Sequence, residues 1–267
     1  MINGEMPEYF YVPPASIEAR QIVISGEEAR HISRTLRHKK GDQITVVDGQ
    51  GGEYQCAIAA ISESAVTVRI INKLRKSREA IKQVTLAQAV PKGQRMDFVI
   101  EKGTEIGLHA IIPLIAGNSV VRAAEEKPAF NLPTLDDDSG GGKAARWQRI
   151  AVAAMKQSLR SVLPRIAEPL DFSGLSGEFG NYDLVLMAEQ AEQKANLDGV
   201  FAGLPENKEV RRVLCLVGPE GGFTESEKRA VAEARGQIVT LGPRRLRAET
   251  AGLVLSTLVL GKLGELG

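Results

Sequence analysis

A chain of 267 residues, 43% hydrophobic and 25% charged, can bury a substantial core, which excludes wholesale disorder. Its 34 lysines and arginines face 33 aspartates and glutamates, a formal charge of +1 that argues against gripping nucleic acid by bulk charge. Two distant cysteines, Cys56 and Cys215, exclude a disulfide framework and a structural zinc site, and with three histidines in the whole chain no metal is expected.

The first ten residues, MINGEMPEYF, have neither a basic nor an apolar signal region. The longest apolar stretch, residues 251–260, is about half of the roughly 20 residues that span a bilayer, so a cytoplasmic protein with no membrane partner is expected. Residues 1–72 read as a small β-rich domain. Strand-like runs at 21–24, 43–48, 53–61 and 65–71 are separated by turn signals such as Lys40-Gly41-Asp42 and Gly49-Gln50-Gly51-Gly52. One helix interrupts them, capped by Ser25 and running from about Glu27 to His38, with Ile32 and Leu36 on one face. Several short strands with a single helix suggest a small barrel.

Residues 73–77 read as a linker, and beyond it the texture changes. Strands at 84–90, 110–115, 184–188, 213–217 and 238–241 alternate with helices at 96–106, 144–159, 225–235 and 250–263. Runs that are apolar throughout, such as 213–217, fit strands covered on both faces, so 78–267 predicts an α/β domain with a mainly parallel sheet. Residues 124–142, with two prolines, three consecutive aspartates and three consecutive glycines, predict a mobile acidic surface loop.

Two strand ends carry the chemical signals. The strand at 213–217 runs into Gly218-Pro219-Glu220-Gly221-Gly222-Phe223, followed by a capping box, Thr224 with Glu227. A glycine-rich turn at a strand's carboxyl end is where open α/β sheets bind ligands. It lacks the lysine of a phosphate loop and centres on Glu220, which suits a neutral or cationic ligand. A second unit repeats the plan, with Gly242-Pro243-Arg244-Arg245-Leu246-Arg247 leading into a long apolar helix. Positive residues cluster locally. Arg30, Arg34 and Arg37 fall on one helical face by spacing, with Lys39 and Lys40 just after, and Arg69, Lys73, Arg75, Lys76 and Arg78 crowd a ten-residue run. The acidic loop masks them: without its five acids and one lysine, 33 basic residues face 28 acidic ones.

Three segments, PKGQRMDFVIEKGTEIGLHAIIPL (91–114), LVGPEGGFTESE (216–227) and LGPRRLRAETAGLV (241–254), resemble the 16S rRNA (uracil-N3)-methyltransferases of the knotted SPOUT superfamily, and residues 31–51 resemble that family's PUA-like barrel. The resemblance implies a deep trefoil knot in the α/β domain, a homodimer through that domain, and 16S rRNA or the 30S subunit as partner. It also implies S-adenosylmethionine as cofactor, held by Met187, Ala188, Leu216, Val217, Gly218, Glu220, Gly221, Leu241, Gly242, Leu246 and Ala251. Uracil N3 must lose a proton, which asks for a cation near the base or a carboxylate to accept it. The catalytic candidates are Arg160, Arg245 and Glu249, with Glu220 as a second carboxylate, and Arg247 joins the basic clusters in contacting RNA. At Arg160 the family's Gln-Ser-Gly-Arg reads Gln157-Ser158-Leu159-Arg160, so a leucine stands at the glycine position. A methyltransferase for another RNA, and a non-catalytic RNA-binding protein on the same fold, are the alternative readings.

Overall fold

The computed structural model describes residues 8–74, 78–119, 142–190 and 195–266. Arg75 and nearly all of the expected acidic loop, 124–141, lie outside them. Two compact units form. One holds the chain up to Glu79 together with Ala151–Leu163, and the other holds the rest from Ala80 onward.

The first unit is a five-stranded sheet. Its strands are β1 (Tyr9–Tyr11), β2 (Gln21–Ser25), β3 (Gln43–Val47), β4 (Glu53–Ile61) and β5 (Ala65–Leu74), ordered β1-β3-β4-β5-β2. Burial alternates along β2 and β5, as expected when one face packs and the other meets water. Ile22, Ile24, Ile44, Val46, Ile58, Val66 and Val68 build its core with Phe10 and Ile32. β5 runs to Leu74, into the stretch expected to be a linker.

The helix expected from Glu27 to His38 begins at Gly26 and changes its hydrogen-bonding pattern partway along. The α-helix α1 (Gly26–Arg30) passes into a π-helical turn at His31–Thr35, and Arg37 then adopts a positive φ of 56°. Ser25 occupies the N-cap position without making a capping bond. Helical spacing therefore does not carry as far as Arg37, and the one-face alignment of Arg30, Arg34 and Arg37 does not follow from it.

The second unit is built on a seven-stranded sheet. Its strands are β6 (Gln83–Ala89), β7 (Ala110–Ile115), β8 (Arg165–Ile166), β9 (Leu170–Asp171), β10 (Leu184–Ala188), β11 (Arg212–Val217) and β12 (Gln237–Val239). The order is β12-β10-β11-β6-β7-β8, with β9 also on β7, and every registered pair is parallel. Helices α2 (Arg95–Glu105), α3 (Lys143–Gln157), α4 (Phe172–Ser176), α5 (Leu197–Ala202), α6 (Glu225–Glu233) and α7 (Ala248–Lys262) intervene. β6 and β11 are buried on both faces after their first residue, which explains the unbroken apolar run of β11, while β6 carries the buried polar residues Thr85 and Gln88.

Helix α7 lies close on β6 because residue 252 is glycine. A Cβ there would stand 2.2 Å from Gln88 Oε1 and 3.2 Å from Leu86 Cδ2. Gln88 itself is fully buried and donates from Nε2 to the Ala89 carbonyl at 3.2 Å.

The segment after α3 matters to the site question. Leu159 takes φ 57°, a left-handed conformation costing a branched side chain roughly 1–3 kcal/mol. Its neighbours fix it there. Ser161 and Val162 donate backbone N–H groups to Glu79 Oε1 at 2.8 and 3.0 Å, and Arg160 donates Nε and Nη2 to Glu79 Oε2 at 2.9 and 2.7 Å. Both side chains are buried, with Arg160 at 6% and Glu79 at 11% exposure. Removing one partner of such a pair strands the other charge, so Glu79→Ala is expected to lower stability by about 3–5 kcal/mol in urea denaturation of the full chain. A loss below about 1 kcal/mol would show that Glu79 is not the clamp of this turn.

Candidate active site

β10 stands between β11 and β12, so three parallel strands end side by side. Ala188 is in register with Val217 on one side and Val239 on the other. The loops leaving these ends enclose a cavity of about 360 Å³, within the range of small-molecule sites. Its wall is Ala188, Glu189 and Gln190 after β10; Val217, Gly218, Pro219, Glu220 and Gly222 after β11; Thr240 to Gly242 after β12; and Arg244 to Ala248 with Ala251 leading into α7.

The expected cofactor residues fall in three places. Ala188, Val217, Gly218, Glu220, Leu241, Gly242, Leu246 and Ala251 line the cavity. Met187 and Leu216 point instead into the hydrophobic core beneath it, with Leu214, Phe223 and Val231. Gly221 is off the wall, packed against Asn118. Glu189, Gln190 and Thr240 were not singled out from the sequence. Each lies one or two residues past a strand end, which is the signal that could have found them.

Side chains from a distant segment hold the glycine-rich loop. Asn118 Nδ2 donates to the carbonyls of Gly221 and Gly222, both at 3.2 Å. Glu227 closes the expected capping box, accepting from Thr224 N at 2.7 Å, and its other oxygen accepts from Gly117 N at 2.8 Å. Beside it, Lys228 is held protonated by its hydrogen bond to the Glu225 carboxylate, which raises its pKa.

The three catalytic candidates are divided between the two units. Arg245 is on the cavity wall and donates Nη2 to the Glu220 carbonyl at 3.1 Å. Glu249 sits in the first turn of α7, off the wall and 8% exposed. It does not cap the helix, whose N-cap is Arg247 with no side-chain bond. Its Oε1 lies 3.7 Å from Arg95 Nε, and its buried Oε2 has no hydrogen-bond partner. Arg160 belongs to the other unit, with its guanidinium engaged by Glu79. Arg95 also reaches Glu220 Oε1 at 3.6 Å; it lies in the 91–114 segment that carries the family resemblance but was not itself singled out.

Of the RNA-binding candidates, Arg30, Arg34, Arg37, Lys39, Lys40, Arg69 and Lys73 are exposed in the first unit, with Lys73 Nζ 5.4 Å from the Tyr54 ring centroid. Arg247 is exposed at the cavity. Among the described residues there is no cluster of three metal-ligating side chains, and no helix is long and apolar enough to cross a membrane.

Residues 77–260 match the RNA methyltransferase domain family and residues 24–71 match the RNA methyltransferase PUA domain, so the class is that of the RNA methyltransferases. The chain is 34% identical over 240 residues to ribosomal RNA small subunit methyltransferase E of Bacillus subtilis, covering 88% of each chain. It is 30% identical to the Synechocystis protein of that name, over 91% of this chain and 74% of the relative. A methyltransferase of Legionella pneumophila solved with bound SAM superposes with a TM-score of 0.79 at 28% identity, over 96% of this chain and 98% of that one. The Neisseria gonorrhoeae ribosomal RNA small subunit methyltransferase E, bound to S-adenosyl methionine, gives 0.77 at 27% identity with the same coverages. This chain belongs to the ribosomal RNA small subunit methyltransferase E family.

The cavity fits the cofactor those neighbours carry. Apolar Val217, Leu241, Leu246 and Ala251 suit an adenine, and the Glu189 and Glu220 carboxylates suit hydroxyl or cationic groups. Gly242 takes φ 105°, which L side chains rarely adopt, so a substitution there would strain the loop whatever space surrounds it. Ala251, on the wall and inside a regular helix, is the cleaner place to fill the site. Gly218→Leu, whose Cβ begins 3.0 Å from the Phe223 ring, and Ala251→Leu are each expected to abolish calorimetric binding of S-adenosylhomocysteine. Wild-type affinity in both variants would remove this cavity as the cofactor site.

Proposed function

We propose that this protein methylates N3 of a uridine in 16S ribosomal RNA of the small ribosomal subunit, in the cytoplasm, using S-adenosylmethionine. The observation that carries the reading is the cavity at the three strand ends, walled by the two Gly-Pro loops, in a chain of this family. When bound, S-adenosylmethionine supplies an electrophilic methyl carbon and keeps the C–S electron pair, leaving as S-adenosylhomocysteine. The protein's contribution is positioning and charge. The wall residues hold the cofactor, with Met187 and Leu216 supporting them from the core and Gly221 setting the loop. Arg245, on the wall, stabilises the negative charge that develops on the uracil ring as N3 loses its proton. The Glu220 carboxylate, on the wall, is the proposed acceptor of that proton, directly or through water, and the buried Glu249 contributes its charge from behind the wall. Arg160, committed to Glu79, anchors the turn after α3.

RNA is held through the exposed cations of the first unit, Arg30, Arg34, Arg37, Lys39, Lys40, Arg69 and Lys73, with Arg75 and Arg247. The division into a PUA-like domain at 1–72 and a methyltransferase domain at 78–267 is supported by the two family matches. A trefoil knot is what the family resemblance implies, and the strand order is compatible with it. β11 is laid on one side of β10, and the chain then crosses to place β12 on its other side. A homodimer through this domain is supported by Phe98 on α2 and Leu258 on α7, two packed helices that leave these apolar side chains 47% and 46% exposed.

Deleting the gene should remove 3-methyluridine from 16S rRNA, read by mass spectrometry of nuclease digests, and the wild-type gene should restore it. Unchanged 3-methyluridine in the deletion strain would sink the reading. Sedimentation should find a species of twice the 28.8 kDa chain mass, and a monomer at micromolar concentration would remove the dimer.

A further inference from the structure

Arg95 is the first residue of α2, where the helix dipole favours an anion and a cation is out of place. Local rules broken in this way are commonly broken for function. The compensation is visible. The same guanidinium stands 3.7 Å from Glu249 Oε1 and 3.6 Å from Glu220 Oε1, joining the first turn of α7 to the glycine-rich loop. Glu249 is buried and off the cavity wall; Glu220 is half exposed and on it. One Glu249 oxygen has no hydrogen-bond partner, so its salt bridge to Arg95 is the contact that orients this carboxylate. Two carboxylates this close to one point repel each other unless a cation sits between them.

We infer that Arg95 is a positioning residue for methyl transfer, anchored by the buried Glu249 and holding the Glu220 carboxylate at the cavity wall. The distances leave room for both contacts to shorten into hydrogen bonds as the site fills. Arg95 is itself off the cavity wall, so its loss is expected to lower the rate far more than cofactor affinity. The inference rests on the methyl-transfer reading above.

The test is a double-mutant cycle on the full chain, with Arg95→Gln, Glu249→Gln, the double variant and Arg95→Lys. Single-turnover methylation of small subunits from the deletion strain is measured at saturating S-adenosylmethionine, and S-adenosylhomocysteine affinity is measured by calorimetry. Arg95→Gln and Glu249→Gln are each expected to slow the rate at least roughly tenfold, and the double variant no more than the worse single one. Arg95→Lys should recover most of the rate, and all four should bind S-adenosylhomocysteine within about threefold of wild type. A wild-type rate in Arg95→Gln overturns the inference. So do multiplicative effects in the double variant, or a fall in affinity that parallels the fall in rate. A wild-type protein inert on these subunits overturns the methyl-transfer reading itself, a result distinct from an active enzyme indifferent to residue 95.

Discussion

The site depends on the placement of one short strand. β10 pairs in parallel with β11 on one edge and β12 on the other, and parallel strands end at the same side of a sheet. Ala188, Val217 and Val239 therefore stand in one row. The loops that follow them must leave in the same direction, and that is why their backbones meet around a single cavity. Neither loop makes the site alone. The Glu220 loop supplies a carboxylate wall and the Arg245 loop a cationic one, and the bond from Arg245 to the Glu220 carbonyl ties the two.

A second level of organisation keeps that junction rigid. Glycine-rich turns are soft, and this one is steadied from outside itself: Asn118 holds two of its carbonyls, and Glu227 joins the start of α6 to Gly117. Glu227 thus does local and long-range work with its two oxygens, which accounts for its burial at 6% exposure. Beneath the cavity, Met187 and Leu216 give the strand ends a packed floor rather than touching a ligand.

Much of this was legible in the sequence because local signals coincide with the final environment. The apolar run of β11 and the Thr224–Glu227 capping box appear where the residues announce them. On the cavity wall the two Gly-Pro loops were legible as turns at strand ends, whereas Glu189, Gln190 and Thr240 were not. What else escaped notice was long-range. Arg95 lies more than a hundred residues from Glu220 and Glu249, and an arginine at a helix start has no periodicity to betray its partners. The small elements β8, β9, α4 and α5 are too short to show a period. The π turn at His31–Thr35 alters a helix that the spacing of Ile32 and Leu36 had extended to His38, because hydrophobic spacing does not record which carbonyl each amide reaches.

Leu159 shows that a left-handed backbone need not be a glycine. The conformation at that position is enforced from outside, by the Glu79 carboxylate gripping the next three residues, while the leucine side chain packs beside Tyr9, Val47 and Met155. Residue type and torsion angle are then separable: a search keyed to glycine would pass over this turn, although an acid far away in sequence holds it in place.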